Sequence, residues 1–295
     1  MTTNKPSSSS TVLVTGGTEG LGRATALMLA DVGYRVFAGG RNAQRRAALD
    51  LEAKDRDLPL ATLEMDVTDD DSVNHAVSEI EQQAGPVEIL INNAGIAIAA
   101  PMEEISLADL HKLFETNYFG LVRVSQRVLP GMRERRRGRI INMSSVAGKI
   151  ASPMFGPYSS SKHAVEAASD AMRLELMPFG IHVAIVEPGY IPSNMENAAT
   201  ELSSSYVERA EKSPYRMIYE GFRKSWGRVT ASPKYTPDDC ARVILRAIQE
   251  TPPSPRYPVT SRAYFVKWMK RLLSDRAIDR LIAKDYGIKP PASNS

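Results

Sequence analysis

The pair Tyr158 and Lys162, in Tyr158-Ser159-Ser160-Ser161-Lys162, combines residue types and a spacing that suit proton chemistry. On a helix, positions i and i+4 face the same way. A phenol with its ordinary pKa of about 10 moves protons poorly at neutral pH. An ammonium group within a few ångströms favours the phenolate and lowers that pKa. Together they suit general acid–base work at a carbonyl or an alcohol. The spacing alone also describes the edge of an ordinary amphipathic helix, so its meaning depends on its surroundings.

Those surroundings hold further polar side chains. Ser145 sits just after a candidate strand, Arg139–Met143. Asn92-Asn93-Ala94-Gly95 ends another strand in the same way, and Asn117 lies inside a helix-like stretch, Ser106–Pro130, where an amide is a mediocre helix former. The ends of strands are where open α/β sheets hold their ligands.

A glycine loop, Thr15-Gly16-Gly17-Thr18-Glu19-Gly20-Leu21-Gly22, follows the first apolar strand and opens a helix. Glycines let the backbone turn sharply and approach a pyrophosphate, and the helix N-terminus presents free N–H groups to it. The loop therefore reads as a dinucleotide cradle rather than a plain glycine-rich turn. Strand two ends in Gly39-Gly40-Arg41, without the acid that accepts from the ribose of NAD. Arg41 suits the 2′-phosphate, so NADP(H) is preferred over NAD(H). Arg45 and Arg46 add positive field or are simply solvated. At the end of strand three, Asp66 suits a hydrogen bond to the adenine amino group. Val67 beside it joins the cofactor set, and Asp69–Asp71 read as helix caps.

Positioning these groups requires alternating elements. Thr11–Thr15, Arg35–Ala38, Leu60–Met65, Val87–Ile91, Arg139–Met143 and His182–Glu187 read as strands. Helix-like segments separate them, including Gly20–Val32, Asp70–Ala84, Ser106–Pro130 and Tyr158–Met177. Near-continuous apolar strands alternating with helices predict a doubly wound parallel sheet covered on both faces. Ser106 with Asp109 resembles a capping box, and Thr236-Pro237-Asp238-Asp239 starts the helix Thr236–Glu250. After Pro188 the pattern is mixed: Tyr190–Trp226 is rich in aromatics and reads as a substrate loop. Arg256–Thr260 is a possible last strand, with short helices at Phe265–Leu273 and Ala277–Tyr286. The expected organisation is a loose start over 1–10, one domain over 11–262 and a helical extension over 263–295 ending in a loose tail.

The bulk numbers fit a globular α/β chain. It has 295 residues, 43% hydrophobic, with a net charge of +3 spread along its length. The single cysteine, Cys240, reads as buried in a helix and excludes an internal disulfide. No signal-peptide pattern and no run long enough to cross a membrane stands out, so a cytoplasmic protein without an integral membrane segment is expected. The four histidines are scattered without ligand spacing, and no catalytic metal is expected. The run Arg133–Arg139 reads as a solvated helix end closed by Gly138, and no nucleic-acid partner is expected from it. The basic, partly amphipathic Tyr264–Leu273 reads as packing over the site or a partner subunit, with a membrane surface as the alternative.

Taken jointly, TGGTEGLG, the NNAG after strand four, Asn117, the SSVAG run at Ser144–Gly148, YSSSK and Pro188-Gly189 resemble the short-chain dehydrogenase/reductase family. The resemblance covers roughly Thr11 to Met195. It implies a seven-stranded Rossmann-type sheet and a homodimer or homotetramer. It also implies roles. Tyr158 would be the general acid/base, and Lys162 would hold the nicotinamide ribose and lower the Tyr158 pKa. Ser145, by its spacing to the tyrosine, would orient the substrate oxygen. Asn117 would anchor a water in a proton relay. Asn93, with Ala94 and Gly95, would lie near the cofactor ribose. Pro188, Gly189 and Ile191 would flank the nicotinamide. Ser193 stands where many members have threonine. Aromatics, Met and Pro in the substrate loop suggest an apolar pocket, to which Met154 and Phe155, between Ser145 and Tyr158, would add. The region around Arg256-Tyr257-Pro258-Val259 is similar to members acting on hydroxysteroids or retinol. The reading is therefore an NADP(H)-dependent oxidoreductase of a hydrophobic small-molecule alcohol or ketone. A ketoacyl or sugar reductase of the same family, and a non-catalytic cofactor-binding sensor, are the alternatives.

Overall fold

In a computed structural model describing residues 10–289, the chain builds around its first strand. Strand β1 (Thr11–Thr15) is buried at every position, as expected for a β-branched run covered on both faces. It pairs in parallel with β2 (Arg35–Gly40) on one side and β4 (Ile89–Asn92) on the other. With β3 (Leu60–Glu64), β5 (Gly138–Met143), β6 (Ile181–Glu187) and β7 (Arg256–Pro258), the sheet runs β3-β2-β1-β4-β5-β6-β7, with every pairing parallel. The strand order reverses between β1 and β4, which opens a crevice at their C-terminal ends.

Alternate residues of each strand serve opposite faces. Val12, Val14 and Val186 join one core cluster beneath α1 (Gly20–Asp31) and α9 (Pro237–Gln249). Leu13, Leu90 and Val183 join a second, beneath α3 (Asp70–Ala84) and α5 (Gly120–Glu134). The remaining helices are α2 (Ala43–Asp55), α4 (Leu107–Phe114), α6 (Gly156–Leu176), α7 (Asn194–Arg209), α8 (Arg216–Thr230), α10 (Ser261–Leu272) and α11 (Asp275–Tyr286). A third cluster, containing Ile98, Leu113, Met154, Tyr206 and Tyr219, joins α7 and α8 to the loop after β4.

Several expectations change. Ser106–Pro130 is helical from Leu107, but a π-turn over Glu115–Phe119 interrupts the α-helical period between α4 and α5. Pro130 lies inside α5, which continues until Met132 is anchored in the core. Strand β4 starts at Ile89 rather than Val87, whose carbonyl accepts from the Arg135 guanidinium. Strand β7 ends at Pro258, and Thr260 instead caps α10 by accepting from the Ala263 amide. The stretch Tyr190–Trp226 is largely helical, as α7 and α8.

The arginine run is corrected as well. Helix α5 ends before Arg136, which takes the left-handed turn at φ 50°, and Gly138 instead begins β5. Arg139 is buried, and its guanidinium donates to the carbonyls of Ala247, Ile248 and Glu250 at 2.5–2.7 Å. It closes the C-terminal end of α9, where a cation also suits the helix dipole. Of the two caps, Thr236 and Asp239 form a full box. Asp109 takes the Ser106 hydroxyl instead of its amide, which donates to Tyr206. The loose ends anticipated at 1–9 and 290–295 lie outside the described residues.

Candidate active site

The glycine loop shows why it needs glycine. Gly16 and Gly20 have φ of 60° and 54°, in the left-handed region that side chains avoid. A Cβ on Gly22 would stand 2.1 Å from the Gly16 carbonyl oxygen, so only glycine lets α1 pack this close. Glu19 occupies the α1 N-cap without a side-chain capping bond, which leaves the first helical N–H groups for an anion. These are the features a pyrophosphate needs.

The NNAG segment braces that loop. Asn93 donates from its side chain to the Thr15 and Gly16 carbonyls at 3.0 and 3.1 Å. The Thr15 hydroxyl accepts from the Asn93 and Ala94 amides. Asn93 therefore shapes the cradle from below. Behind it, Asn92 and Asn142 bond to each other and to Ser125 and Ser169 in a buried network that ties β4 and β5 to α5 and α6. A Cβ on Gly95 would lie 3.2 Å from Asn117 Oδ1 and 3.7 Å from Lys162 Nζ, so this glycine brings the loop against both side chains.

Asn117 sits at the centre of the π-turn and is fully buried. Its amide accepts from the Ile96 N–H and donates to the Ile96 carbonyl and to Ser161 Oγ, all within 3.0 Å. The wider turn aims a polar side chain sideways out of the helix, a use often seen at functional sites.

Tyr158 and Lys162 occupy the first turns of α6, which Pro157 starts. Lys162 is buried, and its ammonium donates to the Met143 carbonyl at 2.8 Å and lies 5.8 Å from the centre of the Tyr158 ring. Desolvation lowers the Lys162 pKa to about 8 against the opposing charge of Glu166. Desolvation pushes the phenol of Tyr158 up to about 12, with the Ser145 hydroxyl pulling the other way. In this chain, burial outweighs the Ser145 hydrogen bond, and the phenol is held protonated rather than driven towards phenolate. Ser145 caps a short turn, accepting from the Ala147 amide at 3.1 Å and donating to the Pro188 carbonyl at 3.4 Å.

The other predicted residues divide between the surface and the cores. Gly189 packs against Thr260, and Ile191 is buried in the core beneath α1 and α9. A Cβ on Gly20 would lie 3.3 Å from Ser193, which brings the start of α7 against the glycine loop. Leu21 packs against the same core. Thr18 lies against Gly40 at the end of β2. There Arg41 is mostly exposed, with its guanidinium 3.4 Å from Asp66. Arg46 donates to the Gly40 and Arg41 carbonyls, and Arg45 pairs with Glu19 at 2.6 Å, so neither is simply solvated. Burial raises the Asp66 pKa, but hydrogen bonds from Thr68 and the charge of Arg41 outweigh it and hold the carboxyl below its ordinary value. Val67 points into the core and gives its carbonyl to Arg123.

An aromatic wall adjoins Tyr158. Phe155 lies 6.3 Å from Tyr158 and 5.3 Å from both Phe222 and Trp226, and Trp226 meets Tyr190 at 5.3 Å. Helix α8 is fastened over this region by tyrosine–carboxylate bonds, Tyr219 to Glu104 at 2.7 Å and Tyr215 to Glu103.

Sequence reasoning missed one group beneath the site. Glu166 and Glu187, both buried, share Lys149 and Arg256 across four ion pairs of 2.6–3.4 Å. Burial and the Glu166 charge raise the Glu187 pKa. The available signals were the i, i+4 spacing from Lys162 to Glu166 and the position of Glu187 immediately before Pro188.

The short chain dehydrogenase family model matches residues 10–203, and the chain belongs to that family. It is an oxidoreductase of a fold that binds NAD or NADP. It is 35% identical to dehydrogenase/reductase SDR family member 7B of Xenopus laevis, over 81% of this chain and 71% of that one. It is 32% identical to the NADPH-dependent 3-dehydrocapnine reductase of Ornithobacterium rhinotracheale, over 92% and 96%. A Burkholderia phymatum short chain dehydrogenase/reductase solved with NAD shares the fold at a TM-score of 0.77 and 22% identity, covering 97% of this chain and 98% of that one.

Proposed function

We propose that the chain is an NADP(H)-dependent, cytoplasmic homo-oligomeric oxidoreductase that interconverts a carbonyl and an alcohol on a hydrophobic small molecule, with Tyr158 as its general acid/base. The observation that carries this reading is the buried Lys162 paired with the partly buried Tyr158, set directly beside the aromatic wall of Phe155, Phe222 and Trp226. A greasy substrate would lie along that wall, which α8 roofs.

The bound cofactor would supply the hydride for reduction and accept it for oxidation. The glycine loop and the α1 N-terminus would hold its pyrophosphate, Asp66 its adenine and Lys162 its nicotinamide ribose. Ser145 would donate a hydrogen bond to the substrate oxygen and fix the carbonyl. Tyr158, kept protonated by its surroundings, gives its proton to the forming alkoxide, and in oxidation it takes the proton back. Asn117, clamped to Ile96 and Ser161, would orient a water that returns the proton to the site.

For the cofactor, Arg41 supports NADP(H): it is exposed at the end of β2, it has one loose ionic partner, and no acid stands at Gly39 or Gly40. The NADPH dependence of the dehydrocapnine reductase points the same way. The test is NADPH consumption over a panel of hydrophobic ketones. Tyr158→Phe is expected to reduce kcat by about 10²- to 10⁴-fold. Arg41→Ala should weaken NADPH binding by about tenfold to a hundredfold while NADH binding stays level. Undiminished activity in the first variant would sink the mechanism, and undiminished NADPH affinity in the second would sink the cofactor preference.

A further inference from the structure

Helix α10 divides its apolar residues between two faces. Ala263 and Val266 are buried against the body. Phe265, Trp268 and Leu272, spaced i, i+3 and i+7, form a second stripe that faces outward, with exposures of 63%, 56% and 74%. Tyr264, Leu273 and Leu281 of α11 are exposed nearby. Packing against the body thus covers only half of this helix.

Contrary to the expectation from the sequence, the charge is not spread evenly along the chain but sets this region apart from the rest. Residues 261–289 hold eight lysines and arginines against three aspartates, a net +5 in a chain whose total is +3. The remainder of the protein is therefore slightly acidic. Lys267 and Arg271 flank the apolar stripe and form no ion pair among the described residues, and Lys270 has one loose contact, 4.0 Å from Asp275. A second copy meeting this face through a two-fold axis would set like charges against each other. A bilayer of acidic lipids matches both features, with acyl chains for the aromatic stripe and phosphates for the cations.

We propose that α10 docks the protein reversibly on the surface of an anionic lipid bilayer. Phe265, Trp268 and Leu272 enter the interface, and Lys267 and Arg271 lie at the headgroups. Among the described residues no helix is long and apolar enough to cross a membrane, so the contact is peripheral. Thr260, the cap of α10, touches Gly189 at the candidate site, so a docked helix would hold the site close to the lipid. The proposal does not depend on the substrate reading. A protein that binds vesicles yet reduces only water-soluble ketones would keep this one and lose that one.

Co-sedimentation of the full chain with phosphatidylglycerol/phosphatidylcholine vesicles, and with phosphatidylcholine alone, tests it. Binding is expected with the acidic vesicles only, weakening as salt rises. The triple variant Phe265→Ser, Trp268→Ser, Leu272→Ser should weaken that binding at least about tenfold. The charge variant Lys267→Glu, Arg271→Glu should do the same. All five side chains are solvent-facing, and circular dichroism with thermal melts would show both variants folded. Brominated acyl chains should quench the parent's tryptophan emission. Three results would overturn the proposal: no binding to acidic vesicles, binding unchanged in both variants, or an α10 triple variant that changes only the oligomeric state.

Discussion

Burial acts in opposite senses on Tyr158 and Lys162. It holds the phenol protonated to about pH 12 and lets the ammonium go at about 8. Under the proposed mechanism, reduction draws a proton from Tyr158 and needs the Lys162 charge. Lys162 carries that charge below about pH 8 and loses it above. The kcat/KM for NADPH should therefore hold up to about pH 8 and then fall, with Tyr158 still protonated through the descent. Glu166→Gln removes the carboxylate that supports the ammonium and should move the falling limb to lower pH. A rate that stays flat through pH 10 in the parent would exclude Lys162 as the titrating group. The residue types and spacing of this pair were legible in the sequence. The direction of the Tyr158 shift was not, because it depends on how deeply α6 is packed.

Among the elements, the two interruptions of regular structure matter most. The π-turn at Glu115–Phe119 aims Asn117 at Ile96 and Ser161, and nothing in the apolar period of Ser106–Pro130 announces an extra residue in one turn. The closure of α9 by Arg139 was hidden for a different reason. A run of arginines has the same composition on a solvated surface as it has with its last member buried 108 residues away from the carbonyls it serves. Helix starts were easier to read, since a cap is local chemistry: Thr236 with Asp239 is complete in four consecutive residues. Arg139→Met keeps the bulk and removes the donors from three buried carbonyls. Urea unfolding should register a loss of about 2–3 kcal/mol. A change below about 0.5 kcal/mol would mean the carbonyls find water instead.

At the scale of the molecule, the alternation of strands and helices was enough to anticipate the parallel sheet, because each strand and its following helix are continuous in sequence. The roof over the site was not. Helices α7 and α8 carry mixed patterns whose apolar positions make sense only against Ile98, Leu113 and Met154, which lie far off in the chain. The same holds for subunit contacts. Exposed Leu174 and Met177 at the end of α6 are candidates for burial in the proposed homodimer or tetramer. Leu174→Arg is expected to shift the sedimentation profile towards monomer, and a parent that sediments as a monomer would remove the oligomer from the reading.

Cys240 faces inward where α9 meets α1, fully buried, and burial pushes its thiol up to about 12. It is also the only thiol in the chain. The native protein should be nearly inert to a thiol-labelling reagent at pH 8, because the reagent needs thiolate. Each labelling event would then mark one opening of the α1–α9 seam. The rate in dilute urea, with and without NADPH, would report how much the nucleotide stabilises the half of the molecule that carries the glycine loop. Fast labelling in buffer alone would show that this seam opens without help.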